Sequence, residues 1–188
     1  MEKRKINKNN LPKWSEVHTI VFDFDGIFTN NKVLVSQDGN ESVICDRSDG
    51  LGLDILRKFI KIKNWNLDYY ILSTETNNVV AERAKKMKIN CYFGVNNKYE
   101  FISKRVKEKE LISHPQKKLV FLGNDINDLE AMNLADFSIA PKDSHHRILK
   151  VANRVINLKG GNGFVRKFIE DLIEFDQMSI DEINKLIN

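Results

Sequence analysis

Two carboxylates stand directly after an apolar run near the start of the chain. The run Thr19–Phe22 has the character of a buried strand, and Asp23, Asp25 and Gly26 follow it within four positions. Unpaired buried charge is costly, so carboxylates at the end of a buried strand are usually neutralised by a partner or a metal ion. We therefore interpret this strand end as a Mg²⁺ site. A solvated turn is the alternative, because Asp and Gly are common in turns.

Further polar side chains follow the other two strongly apolar runs. Ser73 and Thr74 follow the second run, and the segment Gly123–Asp128 follows the third, while Lys98 opens a predicted helix between them. Ligands of open parallel sheets bind outside the carboxyl ends of the strands, so we expect these groups to meet at one edge. Carboxylates, a hydroxyl, a lysine and amides are the groups that Mg²⁺-assisted phosphoryl transfer uses.

The apolar pattern alternates between short strand-like runs and longer helical runs, which predicts an α/β protein with a doubly wound parallel sheet. The predicted strands are Thr19–Phe24, Lys32–Val35, Ser42–Cys45, Leu67–Leu72, Lys118–Leu122, Phe137–Ile139 and Arg154–Ile156. The predicted helices are Leu51–Lys63, Asn77–Lys88, Lys98–Glu110, Ile126–Asn133 and Phe164–Phe175. The second and third strands flank Asp38-Gly39, a strong turn signal, and predict an early β-hairpin beside the acidic strand end.

Length and composition favour one cytoplasmic domain. The 188 residues carry a net charge of +4, and we expect a basic tail at 1–17, a main domain at 18–175 and a helical tail at 176–188. Ser179 and Glu182 have the spacing of a capping box, which marks the start of the last helix. No apolar run approaches the ~20 residues that span a bilayer, and no secretory signal or nucleic-acid module is expected. Cys45 and Cys91 do not suggest a disulfide framework.

The motifs resemble those of the haloacid dehalogenase (HAD) superfamily of phosphatases. Asp-x-Asp-Gly-x-x-Thr spans Asp23–Thr29, and Ser73, Lys98 and Gly-Asn-Asp-x-Asn-Asp follow in the same order. In particular, the chain resembles the small capless branch that contains 3-deoxy-manno-octulosonate 8-phosphate phosphatase, and it also resembles the phosphatase-like domain found with sialic-acid cytidylyltransferases. Asp49-Gly50-x-Gly52 and Gly160–Arg166 also resemble segments of this branch.

The resemblance implies a role for each motif. Asp23 would be the nucleophile that forms an aspartyl-phosphate, and Asp25 would be the general acid and then the general base. Ser73 would bind the transferring phosphoryl group, and Lys98 would neutralise it. The implied metal ligands are Asp23, Asp25 through its backbone carbonyl, Asn124, Asp125 and Asp128. The implied substrate-binding residues are Asp49, Gly50, Thr74 and Arg166.

Several of these residues also have purely structural interpretations. Ser73 would be a suitable cap for the following helix, and Asn124, Asp125 and Asp128 would suit the start of the next one. Arg166 would be a solvated residue after a loop. Asn124 is itself a departure, because relatives commonly place an aspartate there, and an amide oxygen brings no charge to a metal.

Two functions from different classes follow from the resemblance. The first is a Mg²⁺-dependent phosphatase for a phosphorylated nonulosonic or octulosonic sugar acid, assembled as a homotetramer. The second is a non-catalytic assembly domain that partners a sialic-acid-type cytidylyltransferase, which the asparagine at position 124 favours. Retention of both Asp23 and Asp25 favours the enzyme.

Overall fold

Strands and helices alternate along the part of the chain that the computed structural model describes, residues 11–108 and 118–188. The strands are β1 (Val17–Phe22), β2 (Thr29–Val35), β3 (Glu41–Cys45), β4 (Asp68–Leu72), β5 (Asn90–Tyr92), β6 (Lys118–Leu122), β7 (Phe137–Pro141) and β8 (Arg154–Ile156). The helices are α1 (Arg47–Lys63), α2 (Val79–Met87), α3 (Lys98–Glu108), α4 (Leu129–Leu134), α5 (His146–Val151), α6 (Phe164–Leu172) and α7 (Ile180–Ile187).

Six of the strands form one parallel sheet, in the order β5-β4-β1-β6-β7-β8. The chain moves from β1 to β4 and β5 on one side, then returns to the other side of β1 for β6, β7 and β8. The direction of winding therefore reverses at β1, and the carboxyl ends on either side of such a reversal border a crevice. Asp23 is the first residue after β1, so the sheet topology puts it at this crevice.

Helices cover both faces of the sheet. All six residues of β1 are buried, as expected for a central strand with helices on both sides. One core cluster joins Ile20 and Phe22 to α1, α2 and α6, and the other joins Val21 to α3, α4 and α5. This three-layer arrangement confirms the predicted doubly wound α/β fold.

The remaining two strands form an antiparallel ribbon between β1 and α1. Its turn contains Gly39 at a φ of +80°, and the N–H of Ser36 donates to the carbonyl of Asn40. The early hairpin and its Asp38-Gly39 turn are thus confirmed. Much of the ribbon is exposed, including Val33, Leu34 and Val35.

The sequence analysis did not predict two short elements, β5 and α5, and some of its predicted boundaries differ from those in the structure. β5 has three residues and α5 has six, too few for a periodic pattern to stand out. α2 begins at Val79 rather than Asn77. The predicted end of α3 at Glu110 lies outside the described residues.

The last helix carries the predicted capping box. Ser179 Oγ accepts the N–H of Glu182, and the Glu182 carboxylate accepts the N–H of Ser179. Leu186 on α7 is 3% exposed and joins the core cluster under α1. Among the helices in the described ranges, none has both the length and the apolar character to cross a bilayer.

Candidate active site

A buried lysine joins two buried carboxylates at the carboxyl edge of the sheet. Lys98 Nζ lies 2.7 Å from Asp23 Oδ1 and 2.6 Å from Asp128 Oδ1. The three side chains are no more than 5% exposed. The cluster carries two formal negative charges and one positive charge, so one negative charge in it has no cationic partner among these three.

This surplus charge affects protonation. Burial, together with the charge of Asp128, raises the pKa of Asp23 to about 7, although Lys98 opposes the shift. Burial alone would lower the pKa of Lys98, but its contacts with the two carboxylates raise it above its usual value. The lysine therefore stays charged, and Asp23 would be more readily ionised if a further cation were present.

Asp128 is held by the loop that follows β6. Its Oδ2 accepts the N–H of Asn124 at 2.9 Å and the N–H of Asp125 at 3.3 Å. Asp125 in turn caps the short 3₁₀ turn Ile126–Asp128, which completes a capping box. A side-chain carbon at Gly123 would lie 2.7 Å from the Asp128 carboxyl group, so glycine is needed for this approach. Both Asp128 oxygens are thus engaged with protein groups.

Asn124 packs tightly against the loop after β1. A side-chain carbon at Gly26 would lie 1.9 Å from Asn124 Nδ2, and Gly26 has a φ of +75°. Glycine is therefore required at 26 both for space and for backbone conformation. Asn124 is 5% exposed, and its Oδ1 is buried without a hydrogen-bond partner. A buried unpaired acceptor is unfavourable unless a ligand uses it.

Asp25 is oriented by Thr29. The Thr29 hydroxyl donates to Asp25 Oδ1 at 3.2 Å and accepts the N–H groups of Gly26 and Asn31. Burial raises the pKa of Asp25, with smaller contributions from the charges of Glu75 and Glu41. A carboxyl group that retains its proton at higher pH suits proton donation near neutrality.

Two adjoining loops position Ser73 and Lys98. The N–H of Ser73 donates to the carbonyl of Tyr92, and the N–H of Val95 donates to the carbonyl of Ser73. Asn97 Oδ1 accepts the N–H of Glu100 and so caps α3 at the position before Lys98. Ser73 Oγ accepts the N–H of Glu75 at 3.1 Å rather than capping α2, because α2 begins only at Val79.

An open cleft of about 330 Å³ lies above this cluster. It is lined by Asp23, Asp25, Asn31, Asn124, Asp125 and Asn127. Thr74 borders it indirectly, since its hydroxyl accepts from Asn127 Nδ2 at 3.3 Å. The sequence analysis missed Asn31, and it placed Asn127 at the site only as part of the segment Gly123–Asp128, without a role of its own. Asn31 has a φ of +60°, a left-handed backbone conformation that asparagine tolerates better than most residues. An asparagine directly after the turn was the sequence signal that could have identified this position.

The donor set fits a hard divalent cation. Asp23 and Asn124 offer a carboxylate and an amide oxygen, and the backbone carbonyl of Asp25 would add a third; these are the oxygen ligands that Mg²⁺ takes in proteins. The unpaired Asn124 oxygen and the surplus negative charge of the cluster both favour a cation here. Within residues 11–108 and 118–188, no three His, Cys, Asp or Glu side chains form a metal-binding group. An amide in the set is consistent with that finding.

The other predicted substrate-binding residues lie outside the cleft lining. Asp49 is fully buried, and its Oδ1 accepts the N–H of Arg166 at 2.9 Å at the start of α6. Arg166 Nε pairs with Glu170 at 2.5 Å. A side-chain carbon at Gly50 would lie 3.8 Å from Arg83. These residues join α1, α2 and α6 in this chain, and their substrate contacts remain a prediction.

Asp49→Asn tests how the buried carboxylate affects stability. Burial raises the pKa of Asp49 to about 7. The contribution that Asp49 makes to the free energy of unfolding is fully present below about pH 4, and it is lost as pH rises through about 7. The variant lacks this loss, so its free energy of unfolding relative to wild type should rise by about 2–4 kcal/mol between pH 5 and pH 8. Urea unfolding at both pH values measures this. Asp54→Asn, on the exposed side of α1, should show no such change, and an equal change in both variants would contradict the assignment.

Known proteins resemble this chain over most of its length, although no family model matches it. The 3-deoxy-D-manno-octulosonate 8-phosphate phosphatase KdsC of Salmonella typhi is 22% identical over 178 residues, 94% of this chain and 89% of KdsC. A Moraxella catarrhalis phosphatase of the same name, solved with magnesium, phosphate and KDO, is 24% identical with a TM-score of 0.73. That likeness covers 86% of this chain and 88% of the other.

The fold defines the class: a Rossmann-like α/β protein with an acidic cleft at the point where its sheet reverses. A structure from Streptomyces avermitilis MA-4680, assigned to the HAD family of hydrolases, is 34% identical to this chain with a TM-score of 0.77. The similarity covers 87% of this chain and 94% of the other. The chain belongs to the HAD family.

Proposed function

We propose that this chain is a Mg²⁺-dependent phosphatase that hydrolyses a phosphorylated nonulosonic or octulosonic sugar acid through an aspartyl-phosphate. The observation that carries the proposal is the buried Asp23 carboxylate at the reversal point of the sheet, bonded to Lys98 at 2.7 Å. The names of the KdsC relatives support the substrate class. Family membership supports the type of reaction.

In the first step, Asp23 attacks the phosphorus and the bond to the leaving oxygen breaks. Because Lys98 holds Oδ1, Oδ2 is the oxygen that would attack. The Lys98 ammonium neutralises charge that builds up on the phosphoryl oxygens. Ser73, 2% exposed at the end of β4, would donate a hydrogen bond to one of those oxygens. Asp25, whose pKa burial raises, gives its proton to the leaving alcohol.

In the second step, the same groups act in reverse. Asp25, now ionised, takes a proton from a water molecule, and the water oxygen attacks the phosphorus of the Asp23 phosphoryl group. The bond between phosphorus and the Asp23 oxygen breaks, which releases inorganic phosphate and restores the carboxylate. Thr29 keeps Asp25 in one orientation during both proton transfers, since its hydroxyl donates to Oδ1.

Asp23, Asn124 and the backbone carbonyl of Asp25 would hold the metal ion, and Asp125 lies at the edge of the same cleft. When bound, Mg²⁺ would offset negative charge on the phosphoryl group and lower the pKa of Asp23. Asp128, whose two oxygens bind Lys98 and backbone N–H groups, would position the lysine and the loop.

Asn124→Asp should tighten Mg²⁺ binding about tenfold, because a charged ligand replaces a neutral one of the same shape. The carboxylate would occupy the place of the buried, unpaired amide oxygen. Isothermal titration calorimetry measures the change in Kd without requiring turnover. Asn133→Asp, an exposed position on α4, adds the same charge outside the cleft. Equal Kd values for wild type and Asn124→Asp would contradict the ligand role.

We also propose that the chain assembles as a homotetramer through the β2–β3 ribbon. Leu34 and Ile44 are 64% and 57% exposed, although both are large and apolar. Such surface on a projecting ribbon is typical of an interface. Leu34→Lys combined with Ile44→Lys should shift sedimentation from tetramer to monomer. Ile62→Lys on α1, which is 52% exposed, is the control. A tetramer that survives the ribbon variant would contradict the proposal.

Phosphate release with and without Mg²⁺ tests the function. The panel consists of octulosonate 8-phosphate, neuraminate 9-phosphate and simple sugar phosphates. Mg²⁺-dependent release, fastest with a sugar acid phosphate, is the expected result. A folded protein that releases no phosphate from any of them would instead support the second candidate, an assembly domain that partners a cytidylyltransferase. The neutral Asn124 in the metal-binding loop is the observation that favours that candidate.

A further inference from the structure

The side chains that line the cleft are three carboxylates and three amides. They are Asp23, Asp25 and Asp125, with Asn31, Asn124 and Asn127. This lining contains no lysine or arginine from the described residues. Lys98 lies behind Asp23, 1% exposed, and already binds two carboxylates. Apart from the proposed Mg²⁺, the described lining therefore offers hydrogen bonds but no cationic side chain to a group that lies beside the phosphate.

Two of the amides are exposed and come from separate elements. Asn31 is at the start of the ribbon, and its N–H donates to the Thr29 hydroxyl that orients Asp25. Asn127 follows β6, and its Nδ2 donates to Thr74 at 3.3 Å. Neither is needed to build the cluster of Asp23, Lys98 and Asp128. Each amide can both donate and accept, which matches the hydroxyl groups of a sugar chain.

Two more carboxylates stand near the same edge of the site. Glu75 Oε1 accepts the N–H groups of Thr76 and Asn77, and Glu41 Oε2 accepts from Asn77 Nδ2 at 2.8 Å. Both carboxylates act electrostatically on Asp25. Asp25 is the group that would meet the leaving oxygen, so this negative charge lies on the leaving-group side.

We infer that the carbons next to the phosphate ester carry hydroxyl groups and no negative charge, and that Asn31 and Asn127 bind those hydroxyls. The inference rests on the proposed phosphatase function and narrows its substrate. A carboxylate beside the phosphate would face the charges of Asp125, Glu41 and Glu75 with no lysine or arginine in the described lining, whereas hydroxyls would find amides. A nonulosonic acid with a terminal phosphate meets this requirement for uncharged, hydroxyl-bearing carbons next to the ester, because its carboxylate lies at the far end of the carbon chain.

Three esters with the same three-carbon skeleton test this inference. Propyl phosphate has no hydroxyls, glycerol 3-phosphate has two, and 3-phosphoglycerate replaces one of them by a carboxylate. Phosphate release by the full-length protein with Mg²⁺ gives kcat/KM for each. We expect glycerol 3-phosphate to exceed both of the others by about tenfold or more.

A charge variant tests the lining itself. Asn127→Lys should raise kcat/KM for 3-phosphoglycerate relative to glycerol 3-phosphate by about tenfold, because it adds a cation at the cleft. Asn133→Lys makes the same substitution at an exposed α4 position outside the cleft and should change this ratio less than about twofold.

The outcomes separate the inference from the proposed function. Equal turnover of glycerol 3-phosphate and 3-phosphoglycerate would overturn the inference and leave the phosphatase intact. An equal effect of the two lysine variants would overturn the role of Asn127. Release of no phosphate from any ester, including the sugar phosphates, would overturn the proposed function and the inference together.

Discussion

Asp23→Asn is expected to lower kcat about 10³-fold or more while leaving the protein at least as stable as wild type above pH 7. The amide cannot attack phosphorus, so the covalent route closes. The buried cluster, however, becomes neutral, with Lys98 paired to Asp128 at 2.6 Å. Since burial raises the pKa of Asp23 to about 7, ionising it in the folded protein is unfavourable. Phosphate release and urea unfolding at about pH 8 measure the two effects.

Asp181→Asn on α7 is the matched control, because the exposed Asp181 lies far along the chain from the cluster. This variant should change neither the rate of phosphate release nor the free energy of unfolding. If Asp23→Asn retained wild-type turnover, Asp23 would not be the nucleophile. If it lost both activity and stability, the activity loss would reflect unfolding and the separation of roles would be wrong.

Lys98→Met is expected to destabilise the protein by about 3–5 kcal/mol at neutral pH. Methionine fills a similar volume but leaves Asp23 and Asp128 as neighbouring buried carboxylates without a cation. The two side chains are 5% and 0% exposed, so water would screen them little. The deficit should shrink as pH falls, because protonation removes the charges.

Lys104→Met separates this effect from the general loss of a lysine on α3. The Lys104 side chain is 77% exposed, and its Nζ lies 4.0 Å from Glu108 Oε1. Its replacement should therefore lower the free energy of unfolding by less than about 0.5 kcal/mol. Urea unfolding of both variants at pH 5 and pH 8 is the measurement. Equal stabilities for the two variants would contradict the buried cluster.

Much of the fold could be predicted because its central strands are buried on both faces. β1, β4 and β6 appear in the sequence as nearly continuous apolar runs, and each run predicted a strand that the structure contains. The hairpin carried its own turn signal in Asp38-Gly39. β5 and α5 were missed because they are short, and their formation depends on packing against neighbours rather than on local pattern.

The parallel sheet explains why the sequence could bring Asp23, Ser73, Lys98 and Asp128 together. Asp23, Ser73 and Asp128 each follow a predicted strand, and parallel strands end at the same edge. Lys98 was expected there because it opens a predicted helix between two of those strands, although β5, which precedes it, was missed. The sequence could not show which side-chain oxygens of this loop would have hydrogen-bond partners within the protein and which would be left for a ligand. That Asp128 binds Lys98 and backbone N–H groups, while Asn124 keeps an unpaired oxygen, depends on side-chain packing around Gly26 and Gly123.

The carboxylate of Glu41 was not predicted to act on the site. Glu41 lies 36 positions before Asn77 in the chain, and only the folded ribbon brings the two side chains together. Sequence spacing has no means of reporting such a contact, because the ribbon and the loop after β4 belong to different units of the fold.

The measurement that tests the central claim most directly is the reaction of Asp25→Asn with p-nitrophenyl phosphate in the presence of Mg²⁺. Nitrophenolate leaves without a proton, so Asp23 can still be phosphorylated, but no carboxylate remains to activate water. We expect a burst of about one nitrophenol per chain, then near arrest, with the phosphoryl group on the peptide that contains Asp23. Steady turnover at the wild-type rate, or a phosphoryl group on another residue, would contradict the central claim.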